Sequence, residues 1–116
     1  MYKPSPSHIG DSTKFLQKLN QAIDLITHNF DTQKIFLFGS FAKGTNVKSS
    51  SIDLFVIANT DIKFIERLEF INDIFGRNHI RSECIIYTQS ELDRKLQLND
   101  SFISNIIETS VQVFPN

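Results

Sequence analysis

The chain has 116 residues and a formal net charge of −1, with 41% apolar and 11% aromatic side chains. That is enough apolar material for one small domain with a real core, and it excludes an intrinsically disordered chain. The lack of a basic excess excludes binding to nucleic acid by charge alone; nucleotides stay open as small substrates, since a metal ion can supply the positive charge.

Residues 1–10 hold two prolines, several small polar residues and a glycine. They read as a flexible, extended tail before one domain spanning residues 11–116. The opening MYKPSPSHIG lacks the apolar centre of a signal peptide, which points to a cytoplasmic chain. Asp11 or Ser12 can cap a helix over residues 13–30, because a side-chain oxygen there accepts an otherwise unpaired N–H. Phe15, Leu16, Leu19, Ala22, Ile23, Ile26 and Phe30 fall on one stripe at spacings of three and four, with Lys14, Lys18, Gln21 and Asp24 facing away.

KIFLFGS, from Lys34, is an apolar run closed by glycine and reads as a strand buried on both faces. Residues 40–51 leave room for at most a short helical turn. SIDLFVIA, from Ser51, is the second strand. Asp61 is placed to cap a second helix whose stripe is Phe64, Ile65, Leu68, Ile71 and Phe75, with Gly76 as its stop. SECIIYT, from Ser82, is the third strand. Residues 89–97 read as a polar helix. DSFISNIIETS is a last short helix with Phe102, Ile103, Ile106 and Ile107 inward, and VQVF adds a short edge strand. The fold class is therefore α/β (α+β): a small mixed sheet of three to four strands flanked by helices. No apolar run approaches the ~18 residues of a membrane span.

Chemistry concentrates between Gly39 and Glu83. Glycine at a strand end lets the backbone turn sharply and approach a ligand closely. A helical turn opening at Ser40 would point free N–H groups at an anion, with the Ser40 hydroxyl and the Lys43 ammonium beside them. A tight turn capped by serine explains the same residues. A P-loop does not: Gly39 and Gly44 have its spacing, but Thr45 stands where its lysine belongs and no long helix follows. On the second strand Ser51, Asp53 and Phe55 share a face, Ser51 and Asp53 lying roughly 6.5–7 Å apart. An acid in an apolar strand is costly to bury alone. Asp53 is therefore exposed, paired or on a metal, and Glu83 on the third strand poses the same problem. Two such acids suggest one shared site, although a half-exposed edge residue or a salt bridge would also account for each.

GSFAKGTNVKSSSIDLFVI resembles the signature of the minimal nucleotidyltransferases of the DNA polymerase beta superfamily: G-S-x-A-[RK]-G, a short loop, then S-D-x-D-L and an apolar strand. Gly39, Ser40, Ala42, Lys43 and Gly44 match the first part, and Ser50, Asp53 and Leu54 the second. ECIIYTQSEL is similar to the family's third strand, which places Glu83 at the third carboxylate, and FISNIIETSVQVF is similar to its closing helix and strand. The resemblance implies a nucleotidyltransferase fold, a nucleoside triphosphate as substrate, and Mg²⁺ held by Asp53 and Glu83. It assigns the terminal phosphates to Gly39, Ser40 and Lys43. Ser51 departs from the pattern, standing where the family has its first metal aspartate, so weakened transfer is implied. The reaction implied moves a nucleoside monophosphate to a protein or small-molecule hydroxyl. The alternative is a pseudoenzyme that binds nucleotide or a partner, an antitoxin-like component of a toxin–antitoxin pair with a helical HEPN-type protein. A homodimer is compatible with the residues.

The other candidates are weaker. His8, His28 and His79 have no ligand spacing with Cys84 or one another, so no zinc site is expected. Cys84, the single cysteine, permits no internal disulfide and reads as a buried, inert thiol facing away from Glu83. Tyr87, on the Glu83 face, suits a core or rim position, or stacking on a base. Arg67, Arg77, Arg81 and Arg94 read as solvated, or as a reach toward phosphate.

Overall fold

The computed structural model describes residues 13–39 and 51–116. Eight elements follow in order: α1 (Thr13–Asn29), β1 (Asp31–Phe38), β2 (Ile52–Asn59), α2 (Phe64–Arg77), β3 (Ser82–Tyr87), α3 (Gln89–Gln97), α4 (Ser101–Thr109) and β4 (Val111–Phe114). The strands form one mixed sheet in the order β3-β2-β1-β4. β1 runs antiparallel to both β2 and β4, and β2 runs parallel to β3. A parallel pair needs a crossover, and α2 supplies it.

Helices cover both faces. On one, α1 and α2 set Leu19, Ala22, Ile26, Ile71 and Phe75 against Ile35, Leu37, Leu54, Val56, Cys84 and Ile86. On the other, Leu92 of α3 and Ile103 and Ile106 of α4 pack on Phe55 and Ile57, with Phe36, Phe38, Ile85 and Tyr87 around them. β2 is buried on both faces because it lies between two strands and two helical layers. Its odd-numbered positions belong to the α3–α4 side and its even-numbered positions to the α1–α2 side, as strand alternation requires.

Several expectations are corrected. β1 begins at Asp31, three residues before the expected start at Lys34, since Asp31 and Thr32 are recruited by pairing with Asn59 and Ala58 of β2. The ladder sets the strand's length, and polar residues can complete it. Asp61 does not cap α2: Lys63 holds the cap position and makes no side-chain bond there, while Thr60 accepts the Ile62 N–H. Gly76 does not end α2, which runs on to Arg77. Its close is a Schellman motif, in which the Ile80 N–H reaches the Phe75 carbonyl and the His79 N–H the Gly76 carbonyl. His79 takes the left-handed position at φ 57°. The same motif ends α3 at Asn99, φ 56°, after which Asp100 caps α4 by accepting the Ile103 N–H. Ile65, Phe102 and Ile107 are exposed rather than inward. The caps expected at Asp11 or Ser12, the tail and the turn at Ser40 lie outside the described residues. Among the described residues no helix is long and apolar enough to cross a membrane.

Candidate functional site

The sheet brings the two acids together. Asp53 on β2 and Glu83 on β3 are register partners in the parallel pair. Adjacent strands lie ~4.8 Å apart, and register partners point to the same face. That face is the α3–α4 side, since Phe55, Ile57, Ile85 and Tyr87 follow the two acids at alternate positions and all pack there. Asp53 is half-buried and Glu83 exposed. Glu83 owes its exposure to its place near the start of β3, an edge strand, so an acid is tolerated in that apolar segment.

The third member is backbone. β1 delivers Gly39 beside Asp53, because Phe38 is the register partner of Asp53 across the antiparallel pair. Gly39 has φ +79°, where side chains are strained. A Cβ there would also stand inside contact distance of Asp53 Oδ2. Two independent demands, conformation and close approach, therefore select glycine at this position. The other carboxylate oxygen, Oδ1, accepts a hydrogen bond from Ser51 Oγ at 2.9 Å. Asp53 is thus hydrogen-bonded by Ser51 on one side and lies close against Gly39 on the other.

Burial pushes the Asp53 carboxyl above its ordinary value. The Ser51 hydrogen bond opposes that rise, and the neighbouring Glu83 charge adds to it. Hard oxygen donors suit a hard dication, and magnesium keeps several waters when only one or two carboxylates bind it. Asp53 and Glu83 could hold one such ion, with Ser51 as a neutral neighbour. Among the described residues no group of three or more His, Cys, Asp or Glu side chains could hold a metal ion. Ser40 and Lys43 lie outside the described residues.

Cys84 faces the opposite layer, and burial pushes its thiol up to about 12. His28 sits on the surface with Nδ1 2.7 Å from the Asp24 carbonyl, and His79 serves the α2 terminus. Tyr87 packs edge-on to Phe55 at 5.5 Å and against Phe64 at 5.4 Å.

Arg67 is the residue whose role the sequence reading missed. It is 4% exposed, neither solvated nor free to reach a phosphate. Its Nε donates to the Ile62 carbonyl, and NH1 donates to the Ile86 carbonyl and to Glu91 Oε1 at 2.7 Å, while NH2 donates to Glu91 Oε2. It therefore ties α2, β3 and α3 together. Glu91 is fixed in turn by a capping box with Thr88. Two signals for this clasp exist in the sequence. Arg67, Ile71 and Phe75 recur at intervals of four, and Thr88 precedes Glu91 by the capping-box spacing.

The polymerase beta nucleotidyltransferase family model ("Polymerase beta, Nucleotidyltransferase") matches residues 20–115, which include every element from the middle of α1 to β4. No curated protein and no solved structure matches the chain. By its match to the family model, the chain belongs to the polymerase beta nucleotidyltransferase family.

Proposed function

We propose that the domain transfers a nucleoside monophosphate from a nucleoside triphosphate to an acceptor hydroxyl, on a protein or a small molecule. The observation that carries the reading is the pairing of Asp53 with Glu83 on one face, against the left-handed Gly39. In the reaction the acceptor oxygen bonds to the α-phosphorus as the bond to the leaving pyrophosphate breaks, and the hydroxyl proton is released to solvent. Asp53 and Glu83 would hold a magnesium-type ion, which when bound supplies positive charge to the phosphate oxygens. Ser51 keeps Asp53 in one orientation by donating to Oδ1. Gly39 lets the chain turn tightly against Asp53, and the family motif assigns Ser40, Lys43 and the backbone after Gly39 to the terminal phosphates. Positioning and electrostatics supply the catalysis, with little covalent work by the protein.

Calorimetry with ATP, GTP, CTP and UTP in the presence of Mg²⁺ tests this. Binding of at least one of them, lost in Asp53→Asn, is expected; a folded sample that binds none contradicts it.

A second reading follows from Ser51, whose neutral hydroxyl stands where the family carries a carboxylate. In it the domain is catalytically degenerate and binds nucleotide or a partner, as an antitoxin-like component beside a HEPN-type helical protein. The readings separate when wild type is compared with Ser51→Asp for transfer to candidate acceptors. Transfer by wild type at the rate of the restored form removes the degenerate reading.

A further inference from the structure

Arg81 immediately precedes β3, and pairing with β2 already includes it. The Ile52 N–H donates to the Arg81 carbonyl at 2.9 Å, and Ser82 Oγ donates to the Ile52 carbonyl at 2.7 Å. The backbone therefore enters the strand with its direction set. Ile80, Cys84 and Ile86 all pack in the α1–α2 layer. Alternation then turns Arg81 to the other face, with Glu83, Ile85 and Tyr87. Ile52 is the register partner of Ser82, and Asp53 of Glu83, so Arg81 lies across from Ser51. Ser51 and Asp53 on the β2 side, and Arg81 and Glu83 on the β3 side, share one corner of one face.

This placement distinguishes Arg81 from the other arginines. Arg67 is buried and clasped to Glu91. Arg77 pairs with Asp73 within α2. Arg94 lines a groove with Phe64 and Tyr87, and Tyr87 is the last residue of β3. Arg81 is exposed, and among the described residues its side chain makes no hydrogen bond or ion pair. Two strand positions, roughly 6.6 Å, separate it from Glu83.

The charge of the proposed substrate gives such a cation a task. The two carboxylates cancel a dication bound between them, which leaves the negative charge of the triphosphate unmet. Gly39 has no side chain and offers only backbone dipoles. A guanidinium beside the acid pair brings a full positive charge and a planar fork that fits two phosphate oxygens.

We propose that Arg81 binds the triphosphate of the nucleotide at the acid pair, donating to phosphate oxygens from the β3 side. The inference rests on the nucleotide reading of Asp53 and Glu83, and it adds a residue that precedes the matched segment from Glu83. Arg81 acts on the nucleotide directly and not through the cation.

Calorimetry on the full chain with ATP, GTP, CTP and UTP, each with Mg²⁺, tests this on wild type, Arg81→Gln, Arg81→Lys and Arg94→Gln. For whichever nucleotide wild type binds, Arg81→Gln should weaken affinity about ten- to hundredfold, the loss of a charge-assisted hydrogen bond. Arg81→Lys, which keeps the charge without the fork, should lose less, and Arg94→Gln should lose nothing. The second readout is Mn²⁺ binding without nucleotide, followed by electron paramagnetic resonance. Arg81→Gln should bind Mn²⁺ at least as tightly as wild type, because a cation near the acid pair repels a dication. Equal nucleotide affinity in Arg81→Gln and wild type overturns the inference and leaves the nucleotide reading standing. An equal fall in Arg94→Gln also overturns it, since surface charge in general then accounts for the effect. So does loss of Mn²⁺ binding in Arg81→Gln, which makes the residue a support of the acid pair. A folded wild type that binds none of the four overturns the inference and the nucleotide reading together.

Discussion

Two carboxylates, Asp53 and Glu91, sit on the same α/β framework and are displaced in opposite directions. Asp53 is half-buried and in register with a second acid; burial first, and the Glu83 charge after it, push its carboxyl up, against the Ser51 hydrogen bond. Glu91 lies against a buried guanidinium that grips both its oxygens, and its carboxyl is pushed down. The clasp carries its own counter-charge and closes a seam between α2, β3 and α3. Asp53 and Glu83 make no salt bridge among the described residues, and in the proposed function a bound cation would meet their charge. The clasp and the proposed site thus lie toward opposite ends of β3.

The largest effect is expected at the acid pair. A full negative charge 3–4 Å from a dication is worth several kcal/mol even at an effective dielectric near 20. Ser51→Asp should therefore raise transfer by about a hundredfold or more, measured as pyrophosphate release. The clasp comes next. Arg67→Met leaves two backbone carbonyls without their donor and should destabilise the fold by ~2–4 kcal/mol in a urea titration. Glu91→Gln should cost less than a broken fully buried pair, because Glu91 is 38% exposed and water can take over part of its role.

Gly39→Ala should cost ~1–2 kcal/mol for the left-handed backbone alone, with a further penalty from the Asp53 carboxylate. That penalty is separable: Gly39→Ala combined with Asp53→Ala should be less destabilised than the two single losses summed, the sign of a shared contact. Additive losses would mean that the two residues do not meet.

The smallest effect is the pH dependence, and the two sites give it opposite signs. The Glu91 contribution is fully present above the ordinary glutamate range and is lost as pH falls through its depressed folded value. The ionised Asp53 penalises the fold at neutral pH, and that penalty is relieved as pH falls through its raised folded value. In the metal-free protein Asp53→Asn should therefore be the more stable form at pH 7, with its advantage gone below the ordinary aspartate value of 3.8. Arg67→Met should flatten the acid limb contributed by Glu91. Urea midpoints taken across the pH range check both.

The sequence made the α1 stripe, the strands around Leu37 and Val56 and the small α3 helix readable, because a 3.6-residue stripe, a continuous apolar run and a mostly polar helix are each plain local patterns. It was less readable where pairing or tertiary contact decides. Nothing local says that Asp31 and Thr32 belong to β1, since β2 recruits them. Ile65, Phe102 and Ile107 look inward by their place in the stripes, yet the fully buried apolar residues are only Ile71 and Phe75 of α2 and Ile103 and Ile106 of α4. Left-handed helix ends at His79 and Asn99 carry no glycine to announce them. At the site, alternation put Asp53 opposite Leu54, but only the β2–β3 register brings it beside Glu83. Arg67 was hidden because a cation in an apolar stripe is ordinarily solvated, and its partner Glu91 is 24 residues away.

The most direct test of the acid pair is Mn²⁺ titration followed by electron paramagnetic resonance on wild type and on the Asp53→Asn, Glu83→Gln double variant. A single ion bound per wild-type chain and none on the double variant is the predicted result, both proteins being folded. Equal binding by the two, or none by wild type, would contradict it.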